Sequence, residues 1–371
     1  MLGAARARPT GKRTASSKSL TALSLFSGGG GLDLGFSAAG FKVKCSNDID
    51  TYSCATLVLN SGRRSFYDHT HSIPTDIRKI TAAELLKQGN LHAGEIDIVL
   101  GGPPCQAFSV FGQRKGLDDP RGNLVWEYLR IIKEVNPRAF LFENVSGLKS
   151  IHGGKLYSQI LDDLTACGYM VSAHTYQVAD YGIPQFRERV FFIGSRDGHA
   201  VPPMLPSHGP FLGAAPHRTA GEALRLLKEP AHSASKVPNH TGRKHSERIV
   251  SRYTDLAFGE RDPKTRINKL NPERPSFTII VGSDKGGGKG HVHPYTPREV
   301  TPRESARMQT FPDWWEFHGT GRHVIRQVGN AVPPLFAAQL AEHVKFHLFG
   351  SNRKKTYEDF IEILELNYLR G

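Results

Sequence analysis

Along most of the chain, apolar and polar positions follow the two periods of a mixed fold. Leu20-Thr21-Ala22-Leu23-Ser24-Leu25-Phe26 reads as a first strand, Ser27-Gly28-Gly29-Gly30-Gly31 as the turn that closes it, and Leu32 to Ala39 as a helix. Phe41 to Asn47 predicts a second strand with Asp48 at its end. Tyr67 to Pro74 is too irregular to place a strand. Ile96-Asp97-Ile98-Val99-Leu100 predicts a buried strand halted by Gly101-Gly102-Pro103-Pro104-Cys105-Gln106. Leu124, Tyr128, Ile131, Ile132 and Val135 share one helical stripe that Asn136-Pro137 stops. Ala139-Phe140-Leu141-Phe142 is a further strand ending in Glu143-Asn144-Val145, and Leu156, Ile160, Leu161 and Leu164 mark a helix stopped at Gly168. Tyr181 to Arg189 leads into the strand Val190-Phe191-Phe192-Ile193. Strands alternating with amphipathic helices predict an α/β fold with a doubly wound, mostly parallel sheet.

From about Asp197 the pattern lapses until Phe277-Thr278-Ile279-Ile280-Val281, while Pro, His and Gly rise. Regularity returns at Thr301-Pro302, a helix start with proline in its first turn. Gln327-Val328-Gly329-Asn330-Ala331-Val332-Pro333-Pro334 then reads as the opening of a last core helix with Phe336, Leu340 and Val344 inward. Tyr357 to Tyr368 is spaced as a docked surface helix. The chain accordingly divides into a disordered basic tail (1–19), a catalytic part (20–197), a smaller irregular segment (198–296), a returning part (297–350) and a C-terminal helix (351–371).

Charge separates these parts further. Of the formal +13, residues 1–19 carry five Lys/Arg and no acid, and residues 198–296 carry fifteen Lys/Arg against eight Asp/Glu. A nearly neutral scaffold with a basic insert is the footprint of a polyanion binder. The insert also holds eight of the seventeen histidines, and His291 and His293 are read as surface or phosphate-facing residues because no further ligand stands at zinc spacing. Gly286-Gly287-Gly288-Lys289 fails the phosphate-loop pattern, since Gly290 stands where Ser or Thr is required. The four cysteines lie far apart, so neither a metal site nor a disulfide framework is expected. No run reaches the ~18 apolar residues of a membrane span, and no apolar signal core begins the chain, so a soluble cytoplasmic protein is expected; an organellar role for the Arg-rich tail stays open.

The chemistry converges on the loops after the strands. Proline-rich Gly101 to Gln106 should present Cys105 at the carboxyl edge of the sheet, where open α/β sheets bind their ligands. The glycine turn after the first strand does not fit G-x-G-x-x-G, because Asp33 or Leu34 falls at the last position. Asp48 can accept hydrogen bonds from ribose hydroxyls. If extended, the run Gln185 to Arg189 projects Gln185, Arg187 and Arg189 to one side. Ser109 to Arg121 is polar enough for a mobile lid.

With these motifs in order, residues from about Leu20 to Leu348 resemble the DNA cytosine-5 methyltransferases of bacterial restriction-modification systems. The resemblance implies the Rossmann-like sheet of S-adenosylmethionine-dependent methyltransferases, with 198–296 as target-recognition domain. It implies Cys105 as nucleophile toward C6 of a flipped-out cytosine, Glu143 acting at N3, and Arg187 and Arg189 as further catalytic residues. Phe26, Gly28, Gly30, Asp48, Ile49, Asp76, Ile77, Pro104, Leu124, Asn330 and Val332 match cofactor-pocket positions, and Gln106, Ser109, Asn144, Gln185 and Thr278 match substrate-binding ones. Two departures stand out: Thr75 where the family often has Gly, and Gly29 in place of a larger residue. The implied partner is double-stranded DNA, methylated by a monomer that shares its site with a restriction endonuclease. A transfer-RNA methyltransferase and a non-catalytic DNA-binding homologue are the alternatives; the Cys-Phe-Thr element of the first is missing, and the residues the second would lose are present.

Overall fold

Thr21–Leu25 (β1), Lys42–Asp48 (β2), Ser72–Pro74 (β3), Ile98–Gly101 (β4), Ala139–Val145 (β5), Met170–Gln177 (β6) and Glu188–Ser195 (β7) form one sheet in the order β3-β2-β1-β4-β5-β7-β6. β1 to β5 pair in parallel, and β7 runs antiparallel to both β5 and β6. The computed structural model describes residues 19–68, 71–92, 94–104, 124–230, 237–279, 281, 290–351 and 354–370; Cys105, Gln106, Ser109, the proposed lid and the 282–289 glycine run lie outside the described residues.

Side-chain alternation along the central strands builds two cores. Ala22, Leu100, Leu141 and Ile193 point to one face, where the helices Gly31–Ala38 and Pro334–Phe349 pack. Leu23, Val99, Phe140, Phe142 and Phe192 point to the other, covered by the helices Ala82–Gln88, Leu124–Val135 and Lys155–Ala166. A parallel sheet buried on both faces explains why its strands read as nearly continuous apolar runs. Close packing is specified by glycine: a Cβ on Gly35 would stand 2.5 Å from Ala337 Cβ and 2.6 Å from Pro334 O.

Three expectations are corrected. Gln327 to Pro334 does not open the last helix; a separate helix, Gly321–Asn330, ends there, and Pro334–Phe349 starts afresh. Pro333 and Pro334 have no N–H to continue the first helix. The C-terminal helix is shorter than read, Tyr357–Ile363, followed by a 3₁₀ turn at Asn367–Leu369. Phe360 of the helix, with Leu364, Leu366 and Tyr368 after it, joins the first core. His291 and His293, read as surface residues, are 3% and 6% exposed. His291 Nε2 donates to Phe277 O at 3.0 Å, and His293 Nδ1 accepts from Thr296 N at 3.2 Å. Burial pushes both imidazoles down to about 4, so they are neutral interior groups.

Residues of the 198–296 segment partly share the main core, through Val201, Met204, Ala220, Leu224, Leu270 and Ile279, and partly form their own cluster of Tyr253, Leu256, Ile267 and Val292. Two buried arginines of the helix Pro302–Met308 grip the segment. Arg303 donates to Pro238 O and Pro312 O, both at 2.8 Å, and also to Trp315 O; Arg307 donates to Arg225 O at 2.8 Å and pairs with Asp313. Among the described residues no helix is long and apolar enough to cross a membrane.

Candidate active site

Strands β1 to β5 all deliver their carboxyl ends to one edge, and β7, running oppositely, begins there. At β1 and β4 the chain departs to opposite faces of the sheet, the arrangement that opens a crevice in doubly wound folds. The loops at this edge line a cleft of about 660 Å³, a size suited to a cofactor and part of a substrate.

The turn after β1 forms its floor. Phe26, Gly28 and Gly30 all have positive φ, at 54°, 53° and 82°. For Phe26 that conformation costs energy, which is characteristic of functional turns. A Cβ on Gly28 would meet nothing within 4 Å, so the backbone there is open for a ligand to approach. Gly30 is placed differently from the expectation: it is not on the cleft wall, and a Cβ there would lie 2.4 Å from Leu57 Cδ2. Gly29 is crowded too, its Cβ position 3.1 Å from Gln327 Cβ, which accounts for the absence of a larger residue.

Asp33 supports this turn from below. It is wholly buried and accepts from Ser24 Oγ at 2.9 Å, which in turn accepts from Ser27 Oγ at 3.0 Å. Burial pushes its carboxyl from the usual 3.8 up to about 7. The folded state therefore binds more protons than the unfolded one between these values, and its contribution to stability is lost as pH rises through that window. Asp33→Asn should flatten this slope and unfold at higher denaturant than the wild type at pH 8, by on the order of a few kcal/mol at most. Denaturant midpoints at pH 5 and 8 check this; an unchanged pH slope would refute it.

At the end of β2, Asp48 accepts from Gly28 N and Asp50 N, both at 2.8 Å. Burial raises its pKa, the two N–H bonds and the Arg326 charge acting in the opposite direction. Each carboxylate oxygen keeps a second lone pair. Ile49 is 67% exposed beside it. Asp76 caps the short turn Ile77–Lys79 and pairs with Arg78 at 2.6 Å. Thr75, the other departure, sits on the cleft wall with its carbonyl accepting from Asn47 Nδ2 at 2.8 Å. Phe26, Gly28, Asp48, Ile49, Asp76, Ile77, Pro104, Leu124, Asn330 and Val332 thus share one cleft.

Opposite this wall, β5 ends in Glu143, whose Oε1 is 3.0 Å from Arg189 Nε. Its Oε2 stands 3.1 Å from where a Cβ on Gly102 would be, so glycine there admits the carboxylate. Asn144 Nδ2 donates to Pro103 O at 3.0 Å and holds the proline loop that Cys105 follows. Arg187 is buried and donates to Gly329 O at 2.9 Å, joining the residue before β7 to the helix Gly321–Asn330; burial lowers it to about 9, which leaves it cationic at neutral pH. Gln185 does not join Arg187 and Arg189 on the wall. Strand pairing begins only at Glu188, and Gln185 lies fully buried beside Ser276. Thr278 is also off the wall, its hydroxyl donating to Phe186 O at 2.7 Å. The sequence reading missed Arg78 and Arg326 on the cleft wall; Arg326 belongs to the helix that was not predicted.

The open glycine turn, the Asp48 carboxylate and the Glu143–Arg189 pair thus meet along one edge of the sheet. The family model for C-5 cytosine-specific DNA methylases matches residues 20–345. The chain belongs to that family. It is 35% identical over 365 residues to the type II methyltransferase M.NgoFVII of Neisseria gonorrhoeae, covering 93% of this chain and 91% of that protein. With the type II methyltransferase M1.HphI of Haemophilus parahaemolyticus it shares 34% identity, over 88% of this chain and 87% of the relative. Among solved structures, one assigned as a DNA modification methyltransferase within an E. coli prophage superposes with a TM-score of 0.71 at 29% identity, covering 90% of this chain and all of that one. The S. pombe Dnmt2 methyltransferase, at 17% identity and TM-score 0.60, shares the fold. This methylase accordingly modifies carbon 5 of cytosine in DNA, with S-adenosylmethionine as the donor its family implies.

Proposed function

We propose that the enzyme methylates a specific duplex site through a covalent adduct between Cys105 and C6 of a flipped-out cytosine, protecting the host DNA against a cognate endonuclease. The observation that carries this is the Glu143–Arg189 pair at the edge where Pro103 and Pro104 lead into Cys105. Carbon 5 becomes nucleophilic only after addition across the 5,6 double bond. A Cys105 thiolate adds at C6, while Glu143 in its acid form gives a proton to N3 and so removes the charge that develops on the ring. Arg189 orients Glu143, and with Arg187 it supplies the positive field that favours a thiolate. The open backbone at Gly28, the Asp48 carboxylate and exposed Ile49 suit the ribose and base of S-adenosylmethionine. When bound, that cofactor supplies the methyl group as an electrophile on its sulfonium. The C5 proton then leaves to solvent, the C6–S bond breaks to release the Cys105 thiolate, and the N3 proton returns to Glu143, which restores the aromatic ring and the enzyme. Residues 198–296 would meet the duplex and choose the site, and the target base must leave the stack, which costs a few kcal/mol.

Duplex DNA with 5-fluorocytosine in place of cytosine tests the covalent step. Fluorine cannot leave as a proton does, so the wild-type protein and S-adenosylmethionine should give an adduct that survives denaturation. Cys105→Ala should give none; an adduct with that variant would overturn the assignment.

A further inference from the structure

Within the basic segment one element is built unlike its surroundings. Arg261 and Asn268 pair across a tight hairpin in which Asp262 is completely buried. The Asp262 carboxylate takes Arg252 Nε at 3.0 Å and Thr265 N at 2.6 Å, while Arg266 N donates to Asp262 O at 2.8 Å. Burial alone would raise this carboxyl, but the bonds from Arg252 and Thr265 hold it at about 2, so the pin persists across the physiological range. Ile267, next in the chain, anchors the hairpin in the small separate cluster with Tyr253, Leu256 and Val292.

This rigid base displays three cations. Arg261, Lys264 and Arg266 are all exposed, and none forms an ion pair among the described residues. Arg266 sits at φ 61°, a left-handed conformation that costs a non-glycine residue roughly 1–2 kcal/mol. Arg261 Nε donates to Arg266 O at 3.0 Å, which ties the first and third cations together. Solubility alone does not require an arginine held in such a backbone state. From Arg266 the chain runs twelve residues to Thr278, which is bonded to Phe186 beside the cleft arginines. Twelve residues span at most about 40 Å, so the hairpin is within about a dozen base pairs of a duplex lying at the cleft.

We propose that the hairpin closed by Arg261 and Asn268 is a DNA-reading finger of this enzyme, with Arg266 facing a guanine edge and Arg261 and Lys264 on flanking phosphates. Guanidinium donates bidentately to O6 and N7 of guanine, and a pre-set backbone lets it do so with little ordering cost. Phosphate contacts position the duplex and carry no sequence information. The inference rests on the reading that residues 198–296 meet DNA.

The full chain and single variants are expressed in a methylation-free host, and the modified sites are read by bisulfite sequencing. Binding to a duplex carrying the wild-type site is then measured over a range of salt, with S-adenosylmethionine affinity as the control for folding. Arg266→Ala should spread methylation to sites differing at one base pair, losing roughly tenfold to hundredfold discrimination there. Arg261→Ala and Lys264→Ala should keep the site and each lower the salt slope by about one. An Arg266→Ala enzyme that weakens evenly with its site intact overturns the base-reading role. Three variants indistinguishable from wild type in site, affinity and salt slope overturn the finger altogether, as would cations that matter only for binding an acidic protein. A related methyltransferase that receives this enzyme's 198–296 segment, stays active and keeps its own site would instead defeat the underlying reading, leaving the two failures distinct.

Discussion

Glu143→Gln is expected to slow methylation by ~10²–10⁴-fold, the range of general acid–base contributions, with S-adenosylmethionine affinity unchanged by calorimetry. The amide preserves the volume admitted by Gly102 and can still accept from Arg189. It cannot deliver a proton to N3, so charge building on the ring during thiolate addition goes unneutralised. The loss should appear in kcat and in kcat/KM for DNA alike, the signature of an interaction made only in the transition state. A calorimetric loss of cofactor affinity comparable to the loss of rate would place Glu143 in the cofactor site instead.

Asp48→Ala should produce the complementary result. Removing the carboxylate takes away the acceptor for Gly28 N and Asp50 N, and the oxygens facing the cleft. Hydrogen bonds to a charged group are worth about 1.5–3 kcal/mol, so the affinity for S-adenosylmethionine should fall by roughly tenfold to a hundredfold or more. At saturating cofactor most of the turnover should return, which Glu143→Gln would not allow. Normal cofactor binding by Asp48→Ala would remove it from the pocket wall in functional terms.

These two residues were readable in advance because Glu143 comes straight after the apolar run Ala139 to Phe142 and Asp48 closes a strand that alternates Phe41, Val43 and Cys45, so the edge of the sheet could be inferred from pattern alone. β3 and β6 could not be placed in this way. Ser72–Pro74 has only three residues, and Met170–Gln177 is an edge strand with mixed burial, so neither shows a clear period. The helix Gly321–Asn330 escaped because it opens Gly-Arg-His and its buried face mixes Val324, Ile325 and Val328 with Gln327 and Gly329. Arg326 was lost with it. At His291 and His293 another cause acted: polarity was read as exposure, while Phe277 O and Thr296 N supply each imidazole with a partner inside. Gln185 was carried by an alternation argument into a stretch that precedes the strand and turns sharply at Ile183, whose carbonyl accepts from Gln185 N at 2.7 Å.

The grip of Arg303 and Arg307 bears on how such enzymes can be recombined. Both guanidiniums sit on the returning helix, yet their acceptors at Pro238 and Arg225 are main-chain carbonyls of the segment that would be exchanged. A graft cut where the composition changes takes those two acceptors away; Arg303 keeps Pro312 O and Trp315 O and Arg307 keeps Asp313, but each guanidinium is left with a buried donor unmet, a defect of about 1–3 kcal/mol apiece. Donor segments that restore carbonyls at the two positions should yield folded hybrids whatever their side chains, so the exchangeable unit is defined by backbone geometry rather than by sequence similarity at its borders.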